Sequence, residues 1–165
     1  MRTATGGASP AAQPASASRV VVGPLGLRHE QAWRRLWEGY LAFYEESIPP
    51  QVTDRSWQML VNAENRTMGL AAEADGELVG FANILVHSRT WSSGPAAYLE
   101  DLYVRGDCRG RGVGRALIEA VLERGRQRGW SEVYWHTAAD NAAARKLYDQ
   151  FTAVDDHVRY RVFLP

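Results

Sequence analysis

One cysteine, Cys108, and one lysine, Lys146, stand in a chain of 165 residues. A lone thiol excludes an intramolecular disulfide framework. The lone lysine lies far from any glycine-rich turn, which excludes a triphosphate-binding loop of the Gly-x-x-x-x-Gly-Lys type. The four histidines, at 29, 87, 136 and 157, show no ligand spacing, so no metal is expected. Excess charge is missing too: 19 basic residues face 19 acidic ones, which argues against a nucleic-acid binder with a broadly basic surface. Nowhere do the roughly 18 consecutive apolar residues of a membrane span occur, and no apolar centre of a secretory signal follows Met1. A soluble, cytoplasmic chain without membrane or nucleic-acid partners is expected.

What the chain does have begins after residue 18. Residues 1–18 are almost entirely Ala, Ser, Thr, Gly and Pro, too poor in apolar side chains to offset the entropy of ordering, and are expected to form a disordered tail. The remainder, 19–165, carries six Trp and seven Tyr and is long enough for one core, hence one domain. A short β-branched strand from Arg19 is followed by a helix in which Trp33, Leu36, Trp37, Tyr40, Leu41 and Tyr44 share a face. Pro49 and Pro50 break the chain, and Thr53 is the expected N-cap of a shorter helix to about Val61. Asp75-Gly76 predicts a tight hairpin. The stretch from Ala96 to Val104 predicts a strand, about 112–126 a helix stopped by Gly129, then a strand near Val133, a helix after Asn141, and a terminal hairpin over 152–164. Strands first, then strand and helix in alternation, define an α/β fold of α+β flavour: a mixed sheet flanked by helices.

Four glycines and four arginines crowd into Tyr103–Leu117, between a strand and a helix. Glycine lets the backbone turn sharply and approach a ligand, and the N–H groups at a helix start favour an anion, so the loop reads as a phosphate cradle. Gly110, Gly112 and Gly114 are spaced Gly-x-Gly-x-Gly, not the Gly-x-Gly-x-x-Gly of a dinucleotide fold, and the preceding strand comes late rather than opening a βαβ unit. What remains is Arg-x-x-Gly-x-Gly: Arg109, Gly110, Arg111, Gly112, Val113, Gly114. In this context the loop resembles the acetyl-coenzyme A loop of the GNAT acyltransferase superfamily, over about Val20 to Leu164. The stretches "AFYEES" and Thr90, Trp91, Gly94 and Tyr98 to Val104 are similar to the spermidine/spermine-type and thialysine-type diamine N-acetyltransferases and to microbial relatives that acetylate amino acids.

That resemblance implies a largely antiparallel GNAT-like sheet and an acetyl-coenzyme A-dependent N-acetyltransferase, by direct attack of a small primary amine in a ternary complex. A protein or peptide acceptor, or a non-catalytic acyl-coenzyme A sensor, is the alternative. It further implies that Leu102, Tyr103 and Val104 meet the pantetheine arm through their backbones, that residues 109–114 hold the diphosphate, and that Asn141 bonds the arm, although Asn141 also suits a helix N-cap. Tyr148 becomes the general acid, against a plainer reading as an aromatic core residue. Glu100 becomes the base, and strand alternation is expected to send it and Asp101 to opposite faces. An ammonium acceptor wants carboxylates or aromatic faces, which makes Glu45, Glu46, Trp91 and Glu100 candidates for its wall. Cys108 is an alternative acyl-carrying nucleophile, disfavoured because no histidine lies near it in sequence. The relatives imply a homodimer.

Overall fold

The computed structural model describes residues 19–62 and 66–164; the expected tail, 1–18, lies outside the described residues. Five strands, β1 (Val20–Pro24), β2 (Thr67–Ala74), β3 (Glu77–His87), β4 (Ala96–Val104) and β5 (Glu132–Trp135), form one sheet in the order of the chain. The first four are antiparallel and β5 joins β4 in parallel, so the largely antiparallel mixed sheet expected from the sequence is the observed one. The β2–β3 hairpin turns on Asp75 and Gly76, with φ of 51° and 81°, the left-handed pair that a two-residue hairpin needs.

Among the described residues, four α-helices cover the two faces: α1 (Glu30–Phe43) and α2 (Pro50–Val61) on one, α3 (Val113–Arg128) and α4 (Ala142–Tyr148) on the other. The α1 stripe behaves as its spacing predicts at its centre, where Trp33, Leu36 and Trp37 are buried against Trp57 and Leu60 of α2 and Phe81 of β3. Opposite, Val113, Leu117, Ile118 and Val121 of α3 pack on Leu70, Ala82, Ile84, Ala97 and Leu99. Gly129 ends α3 in a left-handed cap.

Two expectations fail. α2 starts at Pro50 after Pro49, leaving Thr53 inside the helix instead of at its cap; Pro at the first helical position gives up no hydrogen bond and presets φ, so it begins this helix rather than merely preceding it. The terminal hairpin does not form: residues 152–164 take part in no strand and are exposed. Among the described residues no helix is long and apolar enough to cross a membrane.

Candidate active site

The site is opened by an irregularity in β4. Asn83 faces Asp101 and Ile84 faces Leu99, so Glu100 is the extra residue of a β-bulge. A bulge bends its strand and adds twist. β5 pairs with β4 only from Ala96 to Leu99, and past the bulge β4 runs to Val104 with no strand at that side among the described residues. The two parallel strands thus part like a fork at Glu100, leaving an edge of β4 that includes Leu102, Tyr103 and Val104 without a partner strand.

The bulge interrupts the regular alternation of β4 at the two carboxylates. Asp101 turns toward α1, where the Tyr40 hydroxyl donates to its Oδ1 at 2.6 Å and Asn83 Nδ2 donates to its Oδ2 at 2.9 Å. Glu100, more exposed, still acts electrostatically on the same phenols as Asp101, Tyr40 and Tyr98. Burial raises the pKa of Glu100, the charge of Asp101 raises it further, and Arg159 opposes them. Burial also raises Asp101, against the two hydrogen bonds that favour its ionised form.

Tyr148 stands across the fork. It ends α4, its ring lies 5.5 Å from that of Trp135, the last residue of β5, and it is near enough to Tyr44, just past α1, to feel its charge. Burial, then Tyr44, push the Tyr148 phenol up to about 12, so at neutral pH it holds its proton and is a donor. α4 is only seven residues long and is held by its ends. Asn141 caps it, accepting from the Ala144 N–H at 3.2 Å while its Nδ2 donates to Thr137 Oγ1 at 3.1 Å. Leu147 lies so close to Gly114 that an added Cβ there would approach Leu147 Cδ2 to 3.0 Å, which ties α4 to the first turn of α3.

The glycine loop turns twice through left-handed backbone. Gly110 and Gly112 have φ of 73° and 84°, with open space around both. Hydrogen bonding into α3 begins with the Ala116 N–H on the Gly112 carbonyl, so the N–H groups of Val113, Gly114 and Arg115 carry the unpaired positive end of the helix. Arg109 is committed elsewhere: its Nε donates to the Val104 carbonyl at 3.0 Å, and its guanidinium lies 5.5 Å from the Phe43 ring and 5.6 Å from that of Tyr103. It fastens the loop to the end of β4. Arg111 stays exposed. Cys108 is buried in the α3-side core, with an Arg105 nitrogen 3.5 Å from its Sγ.

Glu45 and Glu46 follow Tyr44 at the end of α1, both exposed, Glu45 at a φ of 55°. Trp91 lies on a different segment. It sits 91% exposed in the β3–β4 loop, whose far end is bonded to the start of β5 through the Ser131 N–H and the Pro95 carbonyl. The aromatic surface near the carboxylates comes from residues that the sequence did not assign to the acceptor wall. Tyr98 and Tyr134 stack at 5.1 Å, His136 Nδ1 is 3.2 Å from the Tyr98 hydroxyl, and His87 Nε2 is 3.0 Å from that of Tyr134. On the α1 side, Tyr40 and Tyr44 lie within electrostatic reach of Asp101.

A forked parallel strand pair, a glycine turn with unpaired helix N–H groups at one mouth and adjacent carboxylates at the bulge are parts that suit an acyl-coenzyme A-dependent transferase. A model of the Acetyltransferase (GNAT) family matches residues 31–152. The D-amino-acid N-acetyltransferase HPA3 of Saccharomyces cerevisiae is 34% identical over 145 residues, 87% of this chain and 90% of that protein. An aminoglycoside N(6')-acetyltransferase type 1 of Stenotrophomonas maltophilia is 40% identical over 94 residues, 55% of this chain and 61% of the other. Among solved structures, a ribosomal-protein-alanine N-acetyltransferase from Brucella melitensis biovar Abortus 2308 superposes with a TM-score of 0.75 at 26% identity, covering 88% of this chain and all of that one. The chain belongs to the GNAT family and is an acetyl-coenzyme A-dependent N-acetyltransferase.

Proposed function

We propose that the enzyme acetylates the primary amine of a small metabolite, an amino acid, diamine or polyamine, at the fork between β4 and β5. One observation carries this reading: where β4 and β5 part, the bulge sets two adjacent carboxylates, Glu100 and Asp101, within electrostatic reach of the phenols of Tyr40 and Tyr98. Carboxylates and aromatic faces suit a cation of limited size, and the relatives named for D-amino acids and aminoglycosides act on such amines.

Acetyl-coenzyme A supplies the acetyl group as a thioester. The residues present fit it. Gly110 and Gly112 leave open space where any side chain would stand. The N–H groups of residues 110–114 and the exposed Arg111 offer positive charge to a diphosphate. The unpaired edge at Leu102, Tyr103 and Val104 takes an extended arm as a strand would, and one N–H there polarises the reacting carbonyl. Val113 and Gly114 hold the turn against α4, Arg109 holds it against β4, and Asn141 fixes the start of the helix that carries Tyr148. Glu100 removes the ammonium proton, directly or through water; its raised pKa brings it nearer to a useful base than an ordinary carboxylate. Tyr148 protonates the departing thiolate. Glu45 and Glu46 lie at the entrance and attract the cation, and Trp91 forms the outer rim. The working unit is a cytoplasmic homodimer of single domains, residues 19–165, with 1–18 as a tail.

The test is release of coenzyme A thiol from acetyl-coenzyme A, screened with spermidine, short diamines, thialysine, lysine, D- and L-amino acids and a basic peptide. Turnover with a small amine supports the reading; turnover with the peptide alone overturns it, and coenzyme binding without any turnover turns it toward a sensor. In Glu100→Gln the loss is expected to be largest at low pH, where the ammonium must be deprotonated. An unchanged pH profile removes Glu100 from the role of base.

A further inference from the structure

A cavity of about 310 Å³ lies at the turn end of the β2–β3 hairpin, and none of its lining residues belongs to the fork or to the glycine loop. That is room for a small metabolite. Arg28, Ala32 and Arg35 line one wall at helical spacing, from the 3-10 turn Leu27–His29 into α1. Glu73 of β2 and Glu77 of β3 stand on the other, and Arg105 enters from just past β4.

A second bulge shapes that other wall. Glu73 pairs with Leu78 and Ala72 with Gly80, which leaves Val79 as the extra residue. Bulges re-aim the side chains around them. The Val79 carbonyl accepts from the Arg105 N–H at 2.9 Å, and the Arg105 side chain reaches Glu77 at 3.3 Å.

The charges that line the cavity do not balance. Arg28 forks onto Glu73 at 2.7 and 3.1 Å, and this hydrogen bonding holds the Glu73 carboxyl below its ordinary range, so it stays ionised. Arg105 divides its guanidinium between Glu77 and Asp107, the latter outside the cavity. Arg35 has no ion-pair partner among the described residues. Three arginines therefore line the cavity against two glutamates.

The His29 ring is a second, independent sign. Its side chain is only 6% exposed, and its Nδ1 accepts from the Gly26 N–H at 3.0 Å, so the proton of the neutral ring sits on Nε2. That donor has no hydrogen-bond partner: Oε1 of Glu73 stands 3.4 Å away and already takes Arg28. A buried donor without an acceptor is uncommon in a folded chain. An unpaired guanidinium and an unpaired ring N–H at one cavity ask for the same thing, an anionic oxygen. One surplus charge matches a carboxylate; a phosphate monoester brings nearly two beside two fixed glutamates.

We propose that this cavity is a second binding site of the enzyme, for a small monocarboxylate whose oxygens bond Arg35 and the Nε2–H of His29 and whose apolar body rests on Ala32 and Leu78. Because it shares no residue with the fork or the glycine loop, it fills whether or not coenzyme A is bound. The inference does not depend on which amine is acetylated.

The experiment is an amide NMR titration of the full chain, free and saturated with coenzyme A, using benzoate, butyrate and inorganic phosphate as probes, on wild type, Arg35→Ala and Arg35→Glu. Benzoate is expected to bind with a dissociation constant on the order of 1 mM or tighter, with shifts gathered at residues 28–35, 73–78 and 105 and with phosphate binding several-fold more weakly. Coenzyme A should change the benzoate constant by less than a factor of about two. Arg35→Ala should raise that constant roughly 10-fold, and Arg35→Glu should abolish binding; Arg35 is exposed, and far-UV circular dichroism shows that both variants are folded. The absence of saturable shifts with either carboxylate overturns the site. Shifts confined to the fork or the glycine loop, displacement by coenzyme A, or undiminished binding in Arg35→Glu also overturn it. Tighter binding of phosphate than of both carboxylates overturns the ligand class. If Arg35→Glu does not fold, Arg35→Ala decides.

Discussion

Asp101 is the more tightly held of the two carboxylates, and its burial raises its pKa despite hydrogen bonds from Tyr40 and Asn83. A carboxyl whose pKa is higher folded than unfolded stabilises the fold below its unfolded value, and that contribution is lost as pH rises through the folded value. Asp101→Asn removes the ionisation. The melting temperature of the variant relative to wild type should therefore climb as pH is taken from about 4 to 8, read by thermal scans in matched buffers; a flat difference would mean that Asp101 does not titrate as its burial dictates. Tyr148→Phe makes a separate prediction, because a proton given to the thiolate belongs to the transition state. Turnover should fall by roughly 100-fold, with coenzyme A affinity, measured by calorimetry, within about a factor of two. Equal turnover would return Tyr148 to the ordinary core. The N-cap at Asn141 was legible in the sequence, because an asparagine before a helical run carries its own geometry. The bond from Tyr40 to Asp101 was not: aromatic residues at helical spacing read as core, and only the fold shows that this hydroxyl meets a carboxylate.

At the scale of elements, local rules explain most of what was readable. Asp75-Gly76, Gly129 and the α1 stripe each carry their own geometry, so the hairpin, the end of α3 and the packing face followed from a few adjacent residues. The bulge in β4 did not, because no Gly or Pro marks it; it arises from how two strands register against each other. The terminal hairpin was misread for a related reason: alternation specifies a strand but not the strand it pairs with. The start of α3 invites a direct test. At Gly112, with φ of 84° and nothing within 4 Å of an added Cβ, alanine meets no clash but must adopt a left-handed backbone, at a cost of about 1 to 2 kcal/mol. Gly112→Ala should lower stability by about that amount in urea titrations and weaken coenzyme A binding several-fold, since the turn that presents the N–H groups relaxes. Unchanged affinity would show that the diphosphate is held elsewhere.

For the whole molecule, balanced formal charge means that no large net repulsion opposes association, and an enzyme stabilised by pairing should melt later when it is more concentrated. A dimer predicts a melting temperature that rises steadily over a 100-fold range of protein concentration, followed by calorimetry; a constant value would mean that the fold does not depend on its neighbour. The bulge has a last consequence. Leu99 and Asp101 already sit opposite Ile84 and Asn83, the next rungs of a regular ladder, so the sheet has no architectural use for the residue between them. Glu100 is surplus to the scaffold. The chain carries its proposed proton acceptor as an insertion, and the same insertion pries the strands apart: a descendant that lost this single codon would zip β4 onto β5, forfeiting reagent and receptacle together while leaving its hydrophobic layers in place.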